Sequence, residues 1–167
     1  MYCDERPGTL RLDVDELRTL VGGWRPDFEY AGEVVRPLAP ALAKAQLEAG
    51  RDVVVPQYFA THEEIDAFAA VAASCGAEFV EVILMVDRSQ ARSRWVSRRN
   101  GGASQLTEAI EGAVQRRGGD AWIDELHAQL VTFAASRPNA IVIVSRPDDA
   151  QATYRAICDA IDSYITF

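Results

Sequence analysis

The chain has 167 residues, 49% of them apolar and 25% charged, with a net charge of −8 at pH 7. That length sets a single domain as the prior and can bury roughly 70% of the surface its unfolded form exposes, so no disulfide or metal staple is required. The acidic balance argues against nonspecific attraction to nucleic acid or anionic membrane, and no apolar run approaches the length of a membrane span.

In chain order, Thr9 to Val14 alternates Leu10, Leu12 and Val14 with polar residues and reads as a short strand. Asp15 to Val21 reads as a short helix stopped by Gly22-Gly23, and Trp24 to Gly32 as a loop rich in aromatics and turn formers. Glu33 to Ala49 is helical by its Ala and Leu content, with Pro37 and Pro40 near its start and Gly50 as its stop. Asp52-Val-Val-Val55 is a short apolar run expected of a strand buried on both faces, ended by Pro56. Thr61 and Glu64 form a capping box before a helix whose stripe is Ile65, Phe68, Ala69 and Ala72 and whose stop is Gly76. Glu78 to Val86 is the longest expected strand. Asp87 caps a basic helix to Asn100, and Gly101-Gly102 opens a polar segment to about Gly119. Asp120 to Ala135 is a helix with Trp122, Leu126, Leu130 and Phe133 inward; Ala140 to Val144 is a last buried strand; Asp148 to Tyr164 is a closing helix. Strands alternating with helices imply an α/β fold with a parallel sheet covered on both faces.

Two acids, Asp13 and Asp15, fall where the first strand gives way to a helix. Ligands of open α/β sheets bind at the carboxyl ends of strands. There a carboxylate can take a proton from an attacking hydroxyl, and Arg18, one helical turn on, can grip an acidic group of the acceptor. The plainer reading is that Asp13 or Asp15 caps the helix, and the two readings are compatible. Arg88, Arg92, Arg94, Arg98 and Arg99 make the second constellation: either clamps on a transferring phosphoryl group beside a Gly101-Gly102 hinge, or a solvated face with stems lying on apolar surface. Gln57 after the second strand is either an orienter of a metal-bound water or part of a proline turn. Arg146-Pro147-Asp148 either borders a nucleotide base or caps the next helix. Trp24, Phe28 and Tyr30 either line an acceptor pocket or cover the sheet edge. His62 and His127 read as surface residues, and no metal-ligand set is expected. The cysteines, Cys3, Cys75 and Cys158, are odd in number, far apart and without metal spacing, which suggests a reducing cytoplasm. The opening residues, Met1 to Pro7, hold no apolar signal core. Lys44 is the only lysine, so a site that needs one has nothing else to use.

Taken together, Leu12-Asp-Val-Asp-Glu-Leu-Arg18, Ala49-Gly-Arg-Asp-Val-Val-Val55 and Glu78 to Arg99 resemble the P-loop kinase group of nucleotide-binding proteins. The likeness is to the small AAA-domain kinase-like proteins related to the zeta toxins, the polynucleotide kinases and the shikimate and gluconate kinases. It extends from Arg11 to about Asp162. It implies a three-layer P-loop NTPase-like parallel sheet flanked by helices, one kinase-like domain over residues 1–167, and ATP-dependent phosphoryl transfer to a hydroxyl of a small-molecule or other acceptor, with magnesium. By the same likeness Asp15, with Asp13 beside it, matches the acid that activates the acceptor hydroxyl, Arg18 matches an acceptor clamp, and Arg92, Arg94, Arg98 and Arg99 match the lid over the ATP phosphates.

One part of the pattern is missing. No G-x-x-x-x-G-K-[ST] occurs in these 167 residues, and Lys44 follows no glycine loop. The first strand and phosphate-binding loop are therefore expected to be absent, leaving either a gap in the sheet or a sheet closed over it. Such an opening exposes strand edges and invites pairing between two chains. Two explanations stand: a shortened form of a longer kinase, weak or inactive as it is, or a lineage that has lost nucleotide binding and serves as a binding module. An in-frame phosphate-loop motif in the DNA upstream of Met1 would decide for the first.

Overall fold

The structure is a computed structural model that describes residues 1–59, 61–100, 104–146 and 149–165. Helices and short parallel strands alternate along the chain, an α/β arrangement. The chain divides into two compact units. The first holds Met1–Phe79 and Ser104–Ala113, and the second Val80–Ala103 and Val114–Phe167.

In the first unit β1 (Leu10–Arg11) lies parallel to β2 (Val53–Val54), Leu10 opposite Val53 and Arg11 opposite Val54. Between them come α1 (Val14–Arg18), α2 (Phe28–Val35) and α3 (Leu38–Glu48). After β2 comes α4 (His62–Ser74). The core forms where Leu12, one residue past β1, meets Ala39 and Ala43 of α3 and Phe68 of α4, with Leu10, Val53 and Val55 packed around them. Thr61 caps α4, its hydroxyl accepting from the Glu64 N–H at 3.4 Å. Gly50 and Gly76 end α3 and α4 at φ of +70° and +68°, where a side chain would be strained.

Two expectations fail in this unit. The loop expected from Trp24 to Gly32 contains the start of α2. Asp27 caps it by accepting from the Tyr30 N–H at 2.9 Å, and Phe28, Ala31 and Val35 at helical spacing are all buried. The single helix expected from Glu33 to Ala49 is two helices. Pro37 has no N–H to donate into the previous turn, so α2 closes at the Arg36 N–H to Gly32 C=O bond and α3 restarts at Leu38.

In the second unit β3 (Val82–Met85) and β4 (Ile141–Val144) pair in parallel over their whole length, Val82 opposite Ile141 through Met85 opposite Val144. The strand expected from Glu78 to Val86 is shorter because its partner offers only four residues. Its leading Glu81 instead turns its carboxylate to Arg137, whose Nη2 is 2.7 Å away. Asp87 caps α5 (Arg88–Asn100), its carboxylate accepting from Ser89 Oγ at 2.6 Å and the Gln90 N–H at 2.8 Å. Helix α7 (Asp120–Ser136) packs on α5, and α8 (Ala150–Ile165) on β4. The segment read as polar up to about Gly119 holds α6 (Gln105–Arg116), whose residues up to Ala113 belong to the first unit. Ser104 starts it by accepting from the Thr107 N–H at 3.1 Å, and Leu106, Ile110 and Val114 recur every four residues. Among the described residues no helix is long and apolar enough to cross a membrane.

Truncating Leu12 to Ala is expected to cost about 2–5 kcal/mol, because it is 2% exposed and its neighbours Ala39 and Ala43 are too small to refill the space. Leu20→Ala, at 81% exposure, is expected to change stability by no more than about 0.5 kcal/mol. Urea unfolding of the two variants measures the difference.

Candidate functional site

Leu12 in the core and the Leu12 N–H to Val54 C=O bond, 2.8 Å long, anchor the end of β1. Asp13 follows with φ −83° and ψ 111°, still extended, and acts as the N-cap of α1. Its Oδ1 accepts from the Asp15 N–H at 3.0 Å and the Glu16 N–H at 3.3 Å. Of the two acids at this strand end, the cap is Asp13, which leaves the Asp15 carboxylate clear of the backbone.

Asp15 is half-buried. Desolvation pushes its carboxyl above the usual carboxylate range, and the nearby charge of Asp13 pushes the same way. The Arg18 guanidinium and a hydrogen bond from Gln57 offset part of that rise. Arg18 Nε lies 3.3 Å from Asp15 Oδ1 as an ion pair, although it finds no hydrogen-bond partner of good geometry. Arg18 Nη1 donates to the Phe28 carbonyl at 3.3 Å, and its Cζ stands 4.4 Å from the Phe28 ring centroid. Strand end, α1 and α2 thus hold one carboxylate and one guanidinium side by side.

Gln57 belongs to this cluster, through Asp15. Of the aromatic trio, Phe28 is in the core and carries Arg18, Trp24 is half-buried beneath Arg25, and Tyr30 is 56% exposed. Lys44 is ion-paired with Glu48 one turn along α3.

In the second unit the basic helix divides by face. Arg88 and Arg92 both engage Asp124 of α7, with Arg92 Nε 2.5 Å from Oδ1. Those bonds hold the Asp124 carboxyl far below the usual range. Arg94 points elsewhere, its Nη2 donating to Ser145 Oγ at 3.0 Å, just past the carboxyl end of β4. A cleft of about 360 Å³ opens there, lined by Arg94, Ser145, Arg146, Thr153, Tyr154 and Ile157. Ser145 and Thr153 are buried, and Thr153 Oγ1 accepts from the Arg146 N–H at 3.1 Å. Arg98 and Arg99 have side chains outside the described residues, as do Gly101, Gly102, Pro147 and Asp148. Asp149 caps α8, accepting from the Ala152 N–H at 2.7 Å. His127, expected at the surface, is half-buried with Nε2 2.8 Å from the Val86 carbonyl; His62 is exposed. No cluster of three or more metal-ligating side chains occurs among the described residues.

A family model described as AAA domain matches residues 2–119. The chain belongs to this P-loop kinase-like family. Nothing among curated proteins or solved structures matches it. The matched span includes Asp13, Asp15, Arg18 and all of α5 but ends before Asp124 and Ser145, the two partners of the α5 arginines. The family assignment therefore bears on the strand-end acids and not on the β4 cleft.

With its pKa raised by burial, Asp15 carries a proton more readily folded than unfolded. Its ionised form opposes folding above the raised pKa, and the protein gains stability as pH falls through that value toward the unfolded one. Asp15→Asn is expected to remove that gain and to be at least as stable as the wild type at pH 7. Urea midpoints for both proteins between pH 7 and pH 4 test this through the difference between the two curves.

Proposed function

We propose that this AAA-domain protein prepares the acceptor in phosphoryl transfer: it binds a small hydroxyl-bearing molecule at the end of β1 and takes the hydroxyl proton onto Asp15. The observation that carries the reading is that Asp13 makes the helix cap and leaves Asp15 half-buried, with a raised pKa, beside a guanidinium held in place. A carboxylate made more basic by desolvation is the better proton acceptor near neutral pH. Arg18 would orient the acceptor through an acidic group, while its ion pair offsets part of the desolvation of the Asp15 carboxylate.

The family brings ATP and magnesium into the proposal, together with the three-layer P-loop arrangement and a single kinase-like domain over residues 1–167. The described residues do not fit a triphosphate: the one lysine is paired with Glu48 on α3, and these 167 residues contain no phosphate-loop motif. Arg94, with Arg98 and Arg99 further along α5, is the proposed lid; Arg92 would have to exchange Asp124 for a phosphate to join it. Free cysteines support the cytoplasm as location. In its two-stranded sheet β4 has β3 as its one strand partner, and its other edge supports pairing of two chains.

The missing motif favours a second reading, a non-catalytic binding module. Titration calorimetry with Mg-ATP separates the two. Micromolar binding by these 167 residues supports a working nucleotide site, and binding of the acceptor alone supports the module. Where transfer from ATP to a panel of sugar, nucleoside and polynucleotide hydroxyls is seen, Asp15→Asn is expected to lower it about 10²–10⁴-fold. Transfer that survives Asp15→Asn overturns the role of Asp15.

A further inference from the structure

Gly32 lies in the interior of α2 and is buried with Phe28, Ala31 and Val35. Its backbone gives no reason for glycine. Among the described residues the glycines with positive φ are Gly8, Gly23, Gly50, Gly76, Gly118 and Gly119, and Gly32 is not one of them. An interior helical glycine is less favourable than alanine, so it wants an explanation in what surrounds it.

The surroundings supply one. A Cβ built on Gly32 would stand 2.9 Å from Arg18 Cζ and 3.1 Å from both Arg18 Nη1 and Nη2, its three nearest atoms. The central carbon nearest, with the two nitrogens equidistant behind it, is an approach onto the flat face of the guanidinium. Phe28, one turn earlier on the same face of α2, supplies the carbonyl that accepts from Nη1 and the ring beneath Cζ. The guanidinium is therefore bedded on α2 by a bare patch of backbone and an aromatic ring, with Nε 3.3 Å from Asp15 Oδ1.

We propose that Gly32 is a positioning residue for the acceptor site: the absence of a side chain there lets Arg18 lie flat on α2 and stay against Asp15. This deepens the acceptor-site reading and rests on it for its functional meaning, while the geometry stands by itself. The three atoms a methyl group at position 32 would meet first all belong to the far end of a flexible side chain. The helix accepts alanine, and the arginine moves.

The test uses the full chain with Gly32→Ala, Arg18→Ala and the double variant. Two quantities are read: the thermal midpoint, and the titration of the Asp15 carboxyl followed by NMR of carboxyl-labelled aspartate. The groups that face this carboxyl are Arg18, Asp13 and Gln57. In Gly32→Ala the midpoint is expected to equal or exceed that of the wild type. The Asp15 titration is expected to move upward as the guanidinium leaves, and to move no further when Gly32→Ala is added to Arg18→Ala. An Asp15 titration unchanged by Gly32→Ala overturns the proposal, and so does an equal shift in the Arg18→Ala background. Should Gly32→Ala alone fail to fold, folding of the double variant supports the proposal, because it traces the clash to the guanidinium; failure of both overturns it. If the titration responds as expected while phosphoryl transfer ignores Asp15→Asn, the functional reading fails and the positioning role stands.

Discussion

The hydrogen bonds from the Asp15 and Glu16 N–H groups to the Asp13 carboxylate divide the work between two acids that the sequence sets only two residues apart. A helix start needs an acceptor for its free N–H groups, and one acid at this corner must meet that need. Because the chain is still extended at Asp13, the cap falls there and Asp15 enters the first turn. The strand is held in turn by its ladder bonds to β2 and by Leu12 in the core. A hydrophobic contact thus fixes a backbone register, the register assigns the cap, and the cap leaves one carboxylate for chemistry.

The basic helix shows the same division of labour by geometry. Arg88 and Arg92 are four residues apart and share a face, so one carboxylate on α7 can hold both. Arg94, two residues on, has turned by about 200° at 3.6 residues per turn and meets a different partner, Ser145. An arginine-rich helix in an acidic chain is thereby neither a uniform clamp nor a uniform solvated face. Two of its charges tie helix to helix, and one reaches the carboxyl end of β4, where a cleft opens.

Local signals in the sequence were legible where they act over a few residues. A cap at Asp13 or Asp15, the caps at Thr61 and Asp87, the stops at Gly50 and Gly76, the alternation that became β1 and the apolar runs that became β2 to β4 needed only near neighbours to read. Strand length was not legible, because it depends on how much ladder the partner offers, and the four residues of β4 set that limit for β3. The start of α2 was hidden by aromatics that look like loop residues, although Asp27 and the Phe28, Ala31, Val35 spacing carried the signal. At the site, Asp15 and Arg18 could be named from their spacing. Phe28 could be named only as one of an aromatic trio and Gly32 not at all, since their part depends on the packing of α2 against α1, which no local pattern encodes.

Three departures from local preference in the first unit also meet at one place. A carboxylate is carried into partial burial, an arginine nitrogen is buried without a well-formed hydrogen bond, and a glycine occupies the middle of a helix. Each is unfavourable alone, yet the three groups touch one another through the Arg18 side chain. Packing alone would be served as well by an uncharged residue at position 15 and alanine at position 32. Strain of this kind persists where surrounding structure holds it and clusters at sites under functional selection. The well-packed core around Leu12, Ala39, Ala43 and Phe68 provides that hold, which is why a charged pair of modest intrinsic stability can keep one geometry at the end of a two-residue strand.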